Sequence, residues 1–193
     1  MVLLQSDREF FASVRNCATL ISNGIRIEIA TEIFVLEVMM MEPIKAGAAA
    51  PDFVLHSAQG EAVKLSDYRG KKVVLSWHPL AWTAVCTDQM RSLEVHHDQF
   101  AAQNAVAFGL SVDSAPSKKA WVAVLSIQNT VILSDFWPQG KVARDYGIFR
   151  EESGTSQRAN IIIDEAGVVR WVKVYPIAEL PDIDEVLKVL AEM

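Results

Sequence analysis

The residues best suited to chemistry lie in one short segment, HPLAWTAVCTDQM, which spans residues 78–90. Cys86 is one of two cysteines in the chain, the other being Cys17, and two cysteines are too few for a disulfide framework or a zinc cluster. The chemistry open to Cys86 is that of a single thiol, which attacks as a thiolate or packs as a small apolar side chain. Thr83 can turn its hydroxyl toward the sulfur or cap a helix, and Pro79 can shield the sulfur from water or shape a turn.

The elements around this segment would place Cys86 at a favourable point of the fold. KKVVLSW, residues 71–77, has the composition of a buried strand, and a long helix is predicted from about Cys86 to Gln103. The loop between them lies at the carboxyl end of a strand, where open α/β sheets usually place their chemistry. The start of a helix offers unpaired N–H groups and the positive end of the helix dipole, and both favour a thiolate.

The rest of the chain predicts alternating strands and helices. The order is β-α-β-α-β followed by β-β-α, which implies parallel pairing in the centre and antiparallel pairing in the late hairpin. We therefore predict an α/β fold with a mixed central sheet covered by helices. The predicted elements are a β-hairpin (50–55 and 61–65), a helical turn (66–70), strands at 105–112, 131–134, 159–164 and 168–175, and helices at 115–127, 139–147 and 182–193.

The composition suits one soluble domain with a sizeable core, since 51% of the 193 residues are hydrophobic and 22% are charged. A formal net charge of −6 without a basic block argues against binding to nucleic acid or to an anionic membrane surface. No signal peptide is evident, and the apolar segment 29–41 is interrupted by two glutamates and too short to span a bilayer. We expect a cytoplasmic protein in a reducing compartment.

The segment PLAWTAVC carries the Pro-x-x-x-Thr-x-x-Cys motif of the peroxiredoxins, the alkyl hydroperoxide reductase and thiol-specific antioxidant family, which this chain resembles over residues 45–193. LSDFWPQGKVARDYGIF, residues 133–149, is particularly similar to the one-cysteine, alkyl hydroperoxide reductase E-like branch. SQRAN, residues 156–160, matches the place where the family carries its active-site arginine. The resemblance implies a thioredoxin fold, with three α/β/α layers, a mixed central sheet and an N-terminal β-hairpin extension.

By this match Cys86 is the peroxidatic cysteine, with Pro79, Thr83 and Arg158 around it, and Gln89 stands where relatives often have Glu or Gln. The implied function is that of a thiol-dependent peroxidase in antioxidant defence and redox homeostasis, which needs no metal or cofactor. It would reduce hydrogen peroxide or organic hydroperoxides through a sulfenic acid. An external thiol or a redoxin of the thioredoxin, glutaredoxin or mycoredoxin type would regenerate the enzyme, and relatives commonly form homodimers.

Ionisation of the thiol is not sufficient for a fast peroxidase, since the gain in thiolate is largely offset by a loss of nucleophilicity. The remaining rate must come from donors aimed at the peroxide oxygens, where negative charge grows as the O–O bond breaks. Arg158 supplies a fixed cation with several N–H groups, and Thr83 and the first N–H groups of the helix supply the rest. Without the resemblance, Arg158 would equally suit a surface position or a structural salt bridge.

Other hypotheses stay open at this stage. A non-catalytic thioredoxin-fold binding module would share the fold but would not need Cys86 and Arg158 together. A disulfide reductase needs a Cys-x-x-Cys pair, and Thr83 occupies its first position. Cys17 is the one candidate for a bridge to Cys86, and His78 is predicted to line the peroxide pocket. His96 and His97 are predicted to be solvated rather than to bind metal.

Residues 1–41 are predicted to be an N-terminal extension, and residues 42–193 the peroxiredoxin domain. LEVMMMEP, residues 36–43, is compatible with a bacterial ribosome-binding sequence followed by three candidate start methionines. One hypothesis is therefore that residues 1–38 are not translated in the cell. The competing hypothesis is a real appended helix or strand that packs on a partner subunit or stays mobile.

Overall fold

The computed structural model describes residues 42–193. Every prediction made for residues 1–41, including the untranslated segment and the bridge from Cys17, lies outside the described residues.

The strands of the described part are β1 (Val54–Ser57), β2 (Ala62–Lys64), β3 (Lys72–Trp77), β4 (Ala105–Ser111), β5 (Val131–Ser134), β6 (Phe149–Arg150), β7 (Thr155–Ser156), β8 (Arg158–Ile163) and β9 (Val169–Tyr175). Seven of them form one mixed sheet in the order β2-β1-β5-β4-β3-β8-β9, and β6 pairs with β7. The predicted β-hairpin of β1 and β2 extends this sheet through an antiparallel contact with β5.

The central strands bring several chain segments to one edge of the sheet. β3, β4 and β5 run parallel, so their carboxyl ends at Trp77, Ser111 and Ser134 meet there. β8 runs antiparallel to β3, and the pairing of Trp77 with Ala159 brings Arg158 to the same edge. β8 is buried along its whole length and β3 along all but its first residue, as a sheet covered on both faces requires.

Helices cover both faces of the sheet, as predicted. The helices are α1 (Ala84–Val95), α2 (His97–Ala102), α3 (Ala115–Leu125), α4 (Lys141–Asp145) and α5 (Ile183–Ala191), with a short 3-10 helix at Leu65–Tyr68. Successive side chains of β3 point to opposite faces, so Leu75 packs in a core with residues of α4 and Val74 in a core with residues of α1, α3 and α5. Within residues 42–193, none of the helices has the length and apolar character needed to cross a membrane.

The prediction of one helix from Cys86 to Gln103 is wrong in two respects. The helix in the structure begins earlier, at Ala84, so Cys86 is its third residue. It is also two helices, because His96 leaves the helical conformation with φ −99° and ψ 12°. The carbonyl of Ser92 accepts the regular helical bond from the backbone N–H of His96 at 3.2 Å and is also contacted by the His96 ring Nδ1 at 2.8 Å, and this side-chain contact lies at the point where the helix is interrupted.

Glu94, in the last turn of α1, anchors the loop that leads into β5. Its carboxylate accepts the N–H groups of Gln128 at 2.8 Å, Asn129 at 3.0 Å and Thr130 at 2.8 Å. Burial raises the pKa of Glu94, but these hydrogen bonds outweigh it and lower the pKa to about 2.

Glu94→Gln is expected to lower the free energy of unfolding at pH 7 by about 1–2 kcal/mol, a range that allows for solvent screening of a partly exposed carboxylate. Because the folded-state pKa lies below the ordinary value of 4.5, this contribution is complete above about pH 5 and is lost as the pH falls toward 2. Urea unfolding of both proteins at several pH values measures it. The exposed Asp88→Asn on the same helix is the control, and a difference that does not shrink in acid would contradict the assignment.

Candidate active site

The loop between β3 and α1 carries three of the predicted site residues. β3 ends at Trp77, Thr83 is the N-cap of α1 with extended backbone angles, and Cys86 lies in the first turn with 1% of its surface exposed. The Thr83 hydroxyl donates to the carbonyl of Leu80 at 3.0 Å and makes no capping bond to the helix. The first N–H groups of α1, which have no partners within a helix, therefore stay available to the sulfur and to a bound oxygen.

Arg158 reaches the sulfur from the first position of β8. Its side chain is 2% exposed, and its Nη2 lies 3.4 Å from Cys86 Sγ. The carbonyl of Ile177, in the loop after β9, accepts from Nε at 3.1 Å and from Nη2 at 2.8 Å, and Gln89 Oε1 accepts from Nη1. The guanidinium is thus held by two groups, Ile177 and Gln89, with Nη2 directed at Cys86.

Gln89 is a buried link between Arg158 and the end of β3. Its Nε2 donates to the Ser76 hydroxyl at 2.8 Å and to the Trp77 carbonyl at 3.2 Å. These two acceptors require the amide nitrogen on their side, so the amide oxygen faces Arg158. Gln89 therefore positions the guanidinium without touching the sulfur.

The charge balance of this site is unusual. Within residues 42–193, none of the ion pairs involves Arg158, and its hydrogen bonds go to two neutral oxygens and to sulfur. A buried cation without an anion is costly. Cys86 is in contact with it, and a negative charge on this sulfur would balance the guanidinium.

Cys86 opens onto a pocket of about 380 Å³. Its wall combines apolar side chains with two arginines and three hydroxyl-bearing residues. The pocket is lined by Pro79, Leu80, Thr83, Ala84, Val85, Cys86, Arg150, Ser153, Thr155, Arg158 and Ile177. The structure thus brings Cys86, Thr83, Pro79 and Arg158 together around one cavity, while their individual catalytic roles stay predictions.

Several residues of this pocket were not expected from the sequence. Arg150, Ser153 and Thr155 come from the β6–β7 pair, whose strands have two residues each and leave no periodic pattern to detect. Arg150 also pairs with Glu152 at 3.0 Å. Ile177 holds Arg158 through its backbone carbonyl, an acceptor that every residue type provides.

The predicted place of His78 at the pocket is wrong. Its side chain is fully buried in the core beside Trp121, with ring centroids 5.3 Å apart, and neither ring nitrogen has a well-formed hydrogen bond. Burial, reinforced by the charge of Lys118, holds the pKa of His78 well below its usual range, so the ring is neutral. No metal-binding cluster of His, Cys, Asp or Glu occurs within the described part of the chain.

Gln89→Met is expected to slow the reaction of Cys86 with peroxide about tenfold, because the guanidinium of Arg158 loses one of the two groups that hold it beside the sulfur. Gln89→Glu keeps an oxygen for Arg158 but loses the N–H group that donates to the Trp77 carbonyl, so its rate should lie between those of Gln89→Met and the unmodified protein. Stopped-flow rates with hydrogen peroxide measure both. Equal rates for the Met and Glu variants would show that Gln89 does not position Arg158.

Similar sequences and the same fold occur in proteins of known family. The AhpC/TSA family model matches residues 46–172. Alkyl hydroperoxide reductase E of Mycobacterium tuberculosis is 36% identical over 140 residues, which cover 72% of this chain and 91% of that protein. Peroxiredoxin of Thermoplasma volcanium is 33% identical over 153 residues, which cover 77% of this chain and 74% of that protein. A reduced 2-Cys peroxiredoxin structure from Plasmodium vivax matches with a TM-score of 0.69 and 30% identity over 77% of this chain and 81% of that one, in agreement with the predicted thioredoxin fold.

Proposed function

This chain belongs to the AhpC/TSA family and is a thiol-dependent peroxidase, and from that premise we propose that Cys86 is its reactive sulfur and Arg158 the group that stabilises the transition state. The observation that carries the proposal is the approach of Arg158 Nη2 to within 3.4 Å of Sγ in a buried pocket. A donor already in place costs no reorganisation when charge develops.

In the proposed reaction, the Cys86 thiolate attacks one oxygen of the hydroperoxide. An S–O bond forms, the O–O bond breaks, and the other oxygen leaves as hydroxide or alkoxide, which takes a proton to become water or alcohol. The sulfur is oxidised by two electrons to sulfenic acid, and the peroxide is reduced. Arg158 and the first N–H groups of α1 would stabilise the oxygen that gains charge.

Thr83 is proposed to orient the peroxide. Because its hydroxyl proton is directed at the Leu80 carbonyl, its lone pairs are free to accept the O–H of a hydroperoxide. The peroxide would then be held from its proton end by Thr83 and from its oxygens by Arg158. That alignment favours attack along the O–O bond.

Regeneration is proposed to require an external thiol. Cys86 is the one cysteine within residues 42–193, so that part of the chain offers no resolving partner. The external thiolate would attack the sulfenic sulfur and form a mixed disulfide, while the S–O bond breaks and the oxygen leaves as hydroxide, which takes a proton from solvent to become water; a second thiol then reduces the mixed disulfide. Turnover with thioredoxin-, glutaredoxin- and mycoredoxin-type reductants identifies the class.

The involvement of Cys17 is tested separately. The Cys17–Cys86 bridge is the competing hypothesis for regeneration. Non-reducing electrophoresis of the full chain after one equivalent of peroxide separates the two, because a bridge within or between chains changes mobility. Its absence supports the external thiol, and its presence supports Cys17 as the resolving cysteine.

An organic hydroperoxide is the proposed substrate class. The sulfur is reached past the apolar side chains of Pro79, Leu80, Val85 and Ile177, which would bind an alkyl or aryl group. We expect kcat/KM for cumene hydroperoxide to exceed that for hydrogen peroxide by at least tenfold. A preference for hydrogen peroxide would argue against this substrate class but not against the peroxidase mechanism.

The peroxidase mechanism is tested by rapid mixing with peroxide while tryptophan fluorescence is followed. We expect a fast change in the unmodified protein and in Cys17→Ser, and no fast change in Cys86→Ser. A rate no higher than that of free cysteine would support the non-catalytic binding module. A fast change that persists in Cys86→Ser would exclude Cys86 as the reactive sulfur.

A homodimer is proposed on the side of the active site. Leu80 and Trp82 in the active loop and Phe136 and Trp137 after β5 are exposed apolar side chains, and Trp137 is 83% exposed. Asp113 contacts both loop regions through Ala81 and Ser134, so the two loops adjoin there, and their exposed apolar side chains would suit a second copy. Sedimentation should show a dimer that Trp137→Glu dissociates and Val95→Glu, at the far end of α1, does not.

A cytoplasmic location is part of the proposal, because regeneration by a cellular thiol needs a reducing compartment. Fractionation of the source cells tests it, and recovery from an oxidising compartment would argue against it.

A further inference from the structure

We propose that Asp113 is a positioning residue for peroxide reduction, and that its carboxylate holds the loop from Pro79 to Thr83 in the reactive conformation. The inference rests on the proposed function of Cys86. Asp113 does not contact the pocket, and the sequence alone attached no role to it. It acts through the backbone of the loop that places Thr83 and the start of α1.

The contact joins two neighbouring strand ends. Asp113 follows β4, and its Oδ2 accepts the N–H of Ala81 at 2.8 Å and the hydroxyl of Ser111 at 2.6 Å. Its backbone carbonyl accepts the Ser134 hydroxyl at 2.6 Å. Ala81 is buried and lies midway between Pro79 and Thr83, so the carboxylate holds the centre of the loop.

The loop has a conformation that needs such an anchor. Trp82, the residue after Ala81, has φ +69°, in the left-handed region that side chains other than glycine rarely adopt. Its indole Nε1 donates to the Ser117 hydroxyl in the first turn of α3 at 3.1 Å. Strained backbone of this kind persists where the surroundings hold it, and here Asp113 and Ser117 hold two consecutive residues.

A buried lysine on α3 lies close enough to Asp113 to interact with its carboxylate. Lys118 is fully buried on α3, and its Nζ donates to the Leu133 carbonyl. Its charge interacts with the carboxylates of Asp113 and Asp135. Burial lowers the pKa of Lys118 to about 7, and the two carboxylates act in the opposite direction. A hydrogen bond from the Ala81 N–H to an ionised carboxylate is stronger than one to a neutral oxygen.

Loss of the carboxylate would leave the buried N–H of Ala81 without an acceptor. The loop would then relax around Trp82, and Thr83 and the first N–H groups of α1 would move relative to the sulfur. Displacements of about 1 Å at such groups lower rates by up to about a hundredfold. The intrinsic reactivity of the sulfur toward a reagent that needs no aligned donors should change much less.

The test compares two reactions of Cys86 in the full chain. For Asp113→Ala we expect the rate with hydrogen peroxide to fall about 10- to 100-fold relative to the rate with iodoacetamide, an alkylating agent. Asp113→Asn keeps an oxygen for the Ala81 N–H and should restore the ratio to within about threefold. Ser111→Ala removes the hydroxyl that donates to the Asp113 carboxylate, and should lower the ratio of the peroxide rate to the iodoacetamide rate about threefold. It replaces Asp113→Ala in the test if Asp113→Ala does not fold.

Asp164→Ala is the matched control. Asp164 follows β8 and accepts the N–H groups of Ala166 at 3.0 Å and Val168 at 2.8 Å, but it lies at the end of β8 opposite to Arg158. It should lower thermal stability and leave the ratio unchanged. An unchanged ratio in both Asp113→Ala and Ser111→Ala, or an equal fall in Asp164→Ala, would overturn the inference. Slow peroxide oxidation of the unmodified protein would instead overturn the proposed function, and the inference with it.

Discussion

Arg158→Met is expected to lower the rate of Cys86 oxidation by hydroperoxide about a thousandfold. The guanidinium is the cation in contact with the sulfur, with Nη2 at 3.4 Å, and it is fixed by Ile177 and Gln89 before peroxide arrives. Removal of a single preorganised donor to a developing oxyanion costs about 10²–10³ in rate. Loss of the positive charge also weakens stabilisation of the thiolate, which adds to the effect.

Stopped-flow fluorescence with hydrogen peroxide measures this effect. One further variant separates the charge of the side chain from its geometry, and a second serves as a control. Arg158→Lys keeps the charge but loses the planar set of donors, so we expect an intermediate rate. Arg170→Met removes an arginine that pairs with Asp164 at 2.6 Å outside the pocket, and should react at the unmodified rate. A decrease of less than tenfold in Arg158→Met would show that the transition-state charge is stabilised elsewhere.

The fold should tolerate Arg158→Met. The guanidinium is buried and has no ion pair among residues 42–193, so an apolar side chain of similar length removes an unbalanced charge along with its hydrogen bonds. Circular dichroism and thermal unfolding check that the rate effect is chemical rather than a loss of structure.

Thr83→Val is expected to lower the same rate about a hundredfold. Valine keeps the shape of the side chain but has no lone pairs to accept the peroxide O–H and no proton for the Leu80 carbonyl. The peroxide would then bind without a fixed direction for its O–O bond, and poor alignment alone costs about a hundredfold. Because Thr83 is exposed and makes no capping bond, little loss of stability is expected.

Thr83→Ser separates the hydroxyl from the rest of the side chain. It keeps both hydrogen-bonding roles and should react within about tenfold of the unmodified protein. Rates with hydrogen peroxide for the three proteins give the comparison. If valine and serine have the same rate, the hydroxyl has no part in orienting the peroxide.

The active site thus has an inner and an outer set of residues. Cys86, Thr83 and Arg158 would touch the peroxide, whereas Gln89 and Asp113 hold groups that do. The largest effects are expected for the inner set, because those residues interact more strongly with the transition state than with the substrate. Changes to the outer set should have smaller effects. The loss of rate should also be smaller in Gln89→Glu and Asp113→Asn, which keep an acceptor oxygen, than in variants at the same positions that lack one.

Much of the fold followed from local patterns. Strands β3, β4, β5, β8 and β9 were predicted to within a few residues, because short runs rich in valine, isoleucine and leucine between turn residues leave few alternatives. The helix boundaries were less accurate. The break at His96 lies in its backbone angles, and the pattern of apolar and polar side chains along 86–103 continues through it.

The sequence by itself determined the reactive segment. Pro79, Thr83 and Cys86 lie within eight residues at a junction of strand and helix, and residues so close along the chain are also close in the folded protein. Arg158 was located by its match to a family motif, since nothing in its local pattern connects it to a sulfur 72 residues away. Only the tertiary structure decided the pairing of β3 with β8, the orientation of Gln89, and the contacts of Asp113 and Ile177. Those contacts end on backbone N–H and carbonyl groups or depend on strand register, and backbone groups are the same for nearly every amino acid.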